Sequence, residues 1–228
     1  MAGNIWRYDL YNLRKYYPGS IDYFLDIGGC AGATSLLFKS IDPFANIISL
    51  EPCKEDYVKL QQWGRKWGFK VYNFALGDGK PLCFGRHSKG THKFYTEEEK
   101  QQWPEVPEYF VDSKTIAEIF ELFHIEGRYI IKVDCEGGER FLLNDEKSIP
   151  LIRGSVQFNI ELHRFGGSID TWTEWFDNFK NTHQLYKANK ALRDEKNQVR
   201  YLEVDAPDNN NQKEYMLVHK DRVAMVSK

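Results

Sequence analysis

The stretch from Phe24 to Glu51 constrains the fold of this chain more than any other. It reads Phe-Leu-Asp-Ile-Gly-Gly-Cys-Ala-Gly-Ala-Thr-Ser-Leu-Leu-Phe and resumes, after a polar break, as Asn46-Ile-Ile-Ser-Leu-Glu51. Residues 23–27 are almost continuously apolar, as befits a strand buried on both faces. A glycine turn, a helix over 33–40 and a second apolar strand over 45–50 follow. Two strands joined in this way lie parallel, and ligands of such sheets sit in the crevice above the strands' carboxyl ends.

The alternation continues. Residues 55–67 read as a helix, with Tyr57, Leu60, Trp63 and Trp67 at helical spacing and Gly68 as its stop. Strands are expected over 70–76, 129–134 and 156–162, and near 199–204 and 214–219. Helices are expected over 5–16, from an N-cap at Ser113 to Phe123, from Gly138 to Leu143, and over 171–181. The pattern predicts one α/β domain over 1–228. Its core would be a doubly wound, mostly parallel seven-stranded sheet with an antiparallel C-terminal strand pair. Only residues 80–108 break the alternation. This polar, aromatic-spotted excursion contains Arg86, His87, Lys89, His92 and Lys93, and loops of that length are often functional.

Composition narrows the class. The net charge of −2 supplies no field that would gather nucleic acid. Cys30, Cys53, Cys83 and Cys135 are scattered with no metal-type spacing, as suits reduced cysteines. No apolar run approaches the ~20 residues that span a bilayer. The first residues lack a signal peptide's apolar core and a myristoylation pattern. The expectation is a cytoplasmic protein with a small-molecule or carbohydrate substrate and no nucleic-acid or membrane partner.

The glycine turn also serves nicotinamide dinucleotides, but Gly28-Gly-Cys-Ala-Gly32 departs from the dinucleotide spacing Gly-x-Gly-x-x-Gly. Asp26, read as facing the crevice, would repel a pyrophosphate and attract an ammonium or sulfonium. Glu51, at the end of the second strand, can accept hydrogen bonds from both hydroxyls of a ribose. These features favour S-adenosylmethionine, with S-adenosylhomocysteine as product. A nicotinamide-dependent oxidoreductase, a nucleic-acid methyltransferase and a cofactor-binding module without catalysis remain as alternatives.

Four blocks in order carry a resemblance. They are Asp26-Ile-Gly-Gly-Cys-Ala-Gly32, Glu51-Pro52, Asn73-Phe-Ala-Leu-Gly-Asp78 and Ile131-Lys-Val-Asp-Cys-Glu-Gly-Gly-Glu139, the last preceded by Thr115-Ile-Ala-Glu-Ile119. Over residues 20–165 the chain resembles the FkbM-type family of S-adenosylmethionine-dependent methyltransferases. Gly29-Cys30 stands where that family more usually has Ala-Asn, and Ala117 where it often has Asp. The resemblance implies a Rossmann-like class I methyltransferase fold. By it, Asp26, Gly28, Gly29 and Gly32 line the methionine end of the cofactor and Glu51-Pro52 its ribose. Asn73, Ala75 and Leu76 flank the adenine.

The acceptor would lie above the ends of the fourth and fifth strands, where the methyl group points. Alternation puts Lys132 and Asp134 on one face of their strand, and Glu161 and His163 on one face of theirs. Asp134, Glu161 and His163 are the candidate catalytic groups, with His163 or a carboxylate as general base for an O-methyl transfer. Lys132, Glu136, His87 and His92 are candidate substrate contacts, Glu136 having a second reading as a helix cap. Asp134 with Glu161 or His163 could also hold a divalent metal, but positioning alone can drive such a transfer and a metal is not favoured.

Overall fold

The computed structural model of the chain describes residues 9–86, 92–95, 109–163, 168–193, 199–207 and 214–221. Five parallel strands form the heart of the main sheet: β1 (Tyr23–Ile27), β2 (Asn46–Leu50), β3 (Lys70–Tyr72), β9 (Tyr129–Val133) and β10 (Gln157–Glu161). Helices α1 (Ala33–Ile41) and α2 (Lys54–Trp67) connect the first three, while α3 (Ile116–Phe123) and α4 (Ile149–Gly154) precede β9 and β10. A last helix, α5 (Ile169–Asp177), leads to β11 (His183–Arg193), β12 (Val199–Glu203) and β13 (Glu214–His219).

The strand order is β12-β11-β13-β10-β9-β1-β2-β3. β13 runs antiparallel between β10 and β11, and β12 closes the edge antiparallel to β11. The doubly wound, mostly parallel fold is as expected, with eight strands in the main sheet among the described residues rather than seven. The added strand is β11. Its sequence, His-Gln-Leu-Tyr-Lys-Ala-Asn-Lys-Ala-Leu-Arg, lacks the apolar run of a fully buried strand. From β1 the chain winds outward to β2 and β3, then returns to place β9 on β1's other side. The crevice at this switch point lies between the ends of β1 and β9.

Alternation along β1 and β9 sorts their side chains onto two faces. Leu25, Ile27, Ile131 and Val133 join a core with α3 and α5. Phe24 and Ile130 join a second core with Leu37 and Phe38 of α1 and with Tyr11, Leu13 and Tyr16. Residues 9–16 are thus part of the second core. They are not the expected helix: among the described residues they form turns, with Asp9 and Asn12 at positive φ and the Asp9 carboxylate accepting from the amides of Leu13 and Arg14. An aspartate that bonds nearby amides competes with helix in this way.

Other elements differ locally. In α2 the buried residues are Leu60 and Gly64, and Trp63 and Trp67 face outward. A Cβ at Gly64 would lie 2.7 Å from the Phe69 carbonyl oxygen, so glycine lets that side of the helix close on β3. The N-cap of α3 is Thr115, in a reciprocal capping box with Glu118, while the Ser113 hydroxyl donates to the Lys80 carbonyl. Residues 138–144 wind as a 3₁₀ helix. The strand expected over 70–76 breaks after Tyr72, and β4 (Ala75–Leu76) pairs instead with β8 (Ser113–Lys114). The excursion contains a hairpin, β5 (Leu82–Arg86) with β6 (His92–Tyr95), and β5 also pairs with β7 (Tyr109–Val111). Among the described residues no helix is long and apolar enough to cross a membrane.

Candidate functional site

The turn that leaves β1 passes through Gly28, Cys30 and Gly32, all at positive φ, into α1. The amides of Gly28 and Gly29 both donate to the Leu50 carbonyl, at 3.0 and 2.9 Å, binding the turn to the end of β2. At Gly28 a Cβ would be driven into the backbone carbonyl of Asp134, and at Gly29 into the Ser49 side chain. The glycines therefore admit the chain's own β9 and β2 as well as opening the crevice. The Ser49 hydroxyl is fully buried and finds no hydrogen-bond partner among the described residues.

Glu51 closes the far side of the turn. One carboxylate oxygen accepts from the Cys30 amide and the other from the Cys53 amide, each at 2.7 Å. Burial pushes its pKa up to about 7, the two amide bonds opposing the shift only in part. Each oxygen accepts one bond from the protein, which leaves it capacity for a hydroxyl donor.

Asp26 departs from its expected place. It does not face the crevice but lies fully buried beneath the turn, because even-numbered positions of β1 point toward α1. Its Oδ2 accepts from the Ser35 hydroxyl on α1 at 2.6 Å, and its Oδ1 lies 3.1 Å from Nζ of Lys132. The register puts Asp26 directly opposite Lys132, which dictates the pair. Lys132 Nζ also donates to the carbonyls of Gly28 and Ile27, at 2.6 and 3.3 Å. Burial alone would lower the lysine pKa, but the carboxylates of Asp26 and Asp134 carry it above its ordinary value. Lys132 is thus a buried counter-ion that fixes the turn, not the expected substrate contact. The charge of Asp26 is met inside the protein, so its influence on a bound cation is screened by Lys132.

The sheet continues this polar face onto β10. Tyr11, which no pattern in the sequence marks, donates its hydroxyl to Asp134 Oδ2 at 2.8 Å. Gln157 Nε2 donates to the Tyr11 carbonyl, and the Tyr16 hydroxyl donates to Gln157. The N-terminal segment therefore roofs a seam of Lys132, Asp134, Gln157 and Asn159. Asp134 keeps 25 % of its side chain exposed at the mouth of this seam.

Asp134, Glu161 and His163 come together as the sequence suggested: one ligand-capable atom from each lies within 4.8 Å of the others. His163 is not available as the expected general base. Its Nδ1 lies 3.0 Å from Glu139 and its Nε2 3.4 Å from Glu136. Burial alone would lower its pKa, but these carboxylates, with Asp134 behind them, raise it to about 9. At neutral pH the ring is an imidazolium, with no lone pair to accept a proton. The cap after β9 is Glu139 rather than Glu136. Glu139 is fully buried, and its carboxylate accepts from the amides of Cys135 and Gly137, each at 2.8 Å.

On the adenine side, the Asn73 amide is spent on the carbonyls of Glu51 and Pro52, at 2.7 and 3.0 Å, and ties β3 to the end of β2. Ala75 and Leu76 are buried in β4 and show no exposed surface to a ligand. Tyr109 of β7 donates to the Pro52 carbonyl and accepts from the Lys54 amide, a wall the sequence did not mark. His87 lies outside the described residues, and His92 is described only as a backbone position of β6.

Comparison with known proteins agrees with this architecture. The family model described as the methyltransferase FkbM domain matches residues 26–188. A methyltransferase FkbM from Methylobacillus flagellatus superposes with a TM-score of 0.51 at 14 % identity, over 87 % of this chain and 44 % of that one. The chain thus spans less than half the length of that relative. A precorrin-6y C5,15-methyltransferase from Geobacter metallireducens gives a TM-score of 0.43 at 10 % identity, over 91 % of this chain and 83 % of that one. No curated protein matches the chain significantly. The first superposition supports the fold, and the family match runs from the buried Asp26 through the glycine turn to β11. The chain belongs to the FkbM methyltransferase domain family.

Proposed function

We propose that the chain transfers a methyl group from S-adenosylmethionine to a hydroxyl oxygen of a small molecule or sugar. One observation carries the reading: the Glu51 carboxylate, drawn against the glycine turn by the Cys30 amide at the switch point of the sheet. The residues fit the cofactor. Glu51 offers acceptors to the ribose hydroxyls, the Gly28–Gly32 turn a backbone cradle to the amino-acid end, and the orphaned Ser49 hydroxyl a polar atom beneath it. Pro52 and Tyr109 stand on the adenine side. When bound, the cofactor supplies an electrophilic methyl carbon on a sulfonium.

The chain's own part is alignment and charge. Lys132 and Tyr11 hold the turn and Asp134 in fixed relation, and positioning of reactants is worth up to ~7–11 kcal/mol in such transfers. Asp134 and Glu161 are the carboxylates placed to take the proton of a hydroxyl acceptor as general bases. A small acceptor fits a mouth lined by single side chains and a chain of net charge −2.

Calorimetric titration with S-adenosylhomocysteine tests the cofactor assignment. The wild type is expected to bind in the micromolar range and the Glu51→Ala variant at least ~30-fold more weakly, a loss of two hydrogen bonds to a charged group. Absence of binding by folded wild type would reject it. The same titration has an expected pH dependence. Hydroxyl donors bind the ionised carboxylate better, and Glu51 ionises at about 7. Affinity should therefore fall from pH 8 to pH 6 in the wild type and stay level in Glu51→Gln. A wild-type affinity that is flat over that range would place the ribose elsewhere.

A further inference from the structure

We propose that Asp134, Glu161 and His163 form a divalent-cation site on the acceptor side of the crevice, where the ion would hold and acidify the acceptor hydroxyl. The inference rests on the methyltransfer reading for its purpose but not for its geometry. Two carboxylates and one imidazole, from the ends of adjacent parallel strands, bring one ligand atom each within 4.8 Å of one another. That span suits a single ion with oxygen or nitrogen ligands at ~2.0–2.6 Å. All three residues are partly exposed, so water and an acceptor oxygen can complete the shell.

Residues outside the cluster already hold its members as ligands are held. Glu139, fully buried and bonded to two backbone amides, takes His163 Nδ1 at 3.0 Å, while Nε2 lies 3.4 Å from the partly exposed Glu136, which an ion at Nε2 would displace. The Tyr11 hydroxyl, from a segment remote in sequence, takes Asp134 Oδ2 and leaves Oδ1 for an ion. A carboxylate that fixes the second nitrogen of a histidine, and a hydrogen bond that fixes a ligating carboxylate, are the usual supports of a metal centre. The ion displaces the proton from Nε2, so the imidazole enters as a neutral ligand. Two carboxylates with water suit Mn²⁺ and Mg²⁺, and the imidazole nitrogen favours Mn²⁺ over the harder Mg²⁺.

The test is titration of the full chain with Mn²⁺, read by loss of the free-ion paramagnetic resonance signal, with Mg²⁺ as competitor. One ion per chain is expected, weakened ~10–100-fold in Asp134→Asn, in Glu161→Gln and in the second-tier variant Glu139→Gln. Asp177→Asn, a surface carboxylate on α5 paired with Lys180, should bind as wild type does. Melting temperatures and S-adenosylhomocysteine affinity show whether each variant is folded. No stoichiometric Mn²⁺ binding up to millimolar concentration, or binding unchanged in the Asp134→Asn/Glu161→Gln double variant, would overturn the site. Either result leaves the cofactor titration standing. Conversely, failure of S-adenosylhomocysteine to bind while Mn²⁺ does would retain the ion and reject the methyltransfer.

Discussion

Replacement of Lys132 by methionine is expected to destabilise the protein by about 3–5 kcal/mol, the usual consequence of removing one partner of a buried ion pair. The side chain is 2 % exposed and its partner Asp26 is 0 % exposed. Methionine fills nearly the same volume, so little of the loss is a cavity. What remains is the Asp26 carboxylate, out of water, with the Ser35 hydroxyl as its stabilising contact. The carbonyls of Ile27 and Gly28 lose their donor in the same step, which should also weaken S-adenosylhomocysteine binding through the turn. Adding Asp26→Asn to Lys132→Met removes the stranded charge, and the double variant should recover at least ~1 kcal/mol relative to the single one. Urea unfolding of the wild type, both single variants and the double variant measures this coupling. A single-variant loss below ~1 kcal/mol, or strictly additive effects, would mean that the pair is not the support of the turn.

Gly28→Ala should be nearly as severe, at about 2–5 kcal/mol, from a strained backbone together with a forced displacement. Gly28 has φ 82°, and the added methyl would lie 2.8 Å from the carbonyl carbon of Asp134, closer than any real contact. Because that carbonyl is backbone, relief requires β1 and β9 to separate at their carboxyl ends. Gly19→Ala supplies the comparison: Gly19 has φ 78° with nothing within 4 Å, so only the ~1–2 kcal/mol backbone term applies. Equal losses at the two positions would show that the approach of Asp134 to the turn is not what requires glycine at Gly28.

Much of the fold was legible because buried parallel strands leave a strong mark. β1, β2 and β9 are largely apolar on both faces, β10 carries Phe158 and Ile160 on one face against Gln157 and Asn159 on the other, and the glycine turn and Gly68 announce where strand or helix must stop. β11 left no such mark. At its place near the edge it buries Leu185 and Ala188 among Lys and Gln residues, so its sequence does not separate it from a loop. The tryptophans of α2 misled for a related reason. Spacing shows that Leu60, Trp63 and Trp67 share a helical side, but Gly64 determines which edge of that side touches the sheet.

The candidate site divides in the same way. Glu51 at the end of β2, and Asp134, Glu161 and His163 at the ends of β9 and β10, could be placed from strand periodicity, since position along a parallel strand fixes the side chain's end of the sheet. What each charged group does could not be placed. Asp26 meets Lys132 through register, His163 is made a cation by Glu136 and Glu139, and Tyr11 reaches Asp134 from 123 residues away. The sequence by itself determined the strand–turn–helix unit, the family and the acids that crown the sheet, because those follow from local pattern. Only the tertiary structure decided which of those acids are neutralised within the protein and which are left to meet a ligand. That difference depends on partners brought within a few ångströms by strand pairing and chain crossing, and no local pattern carries it.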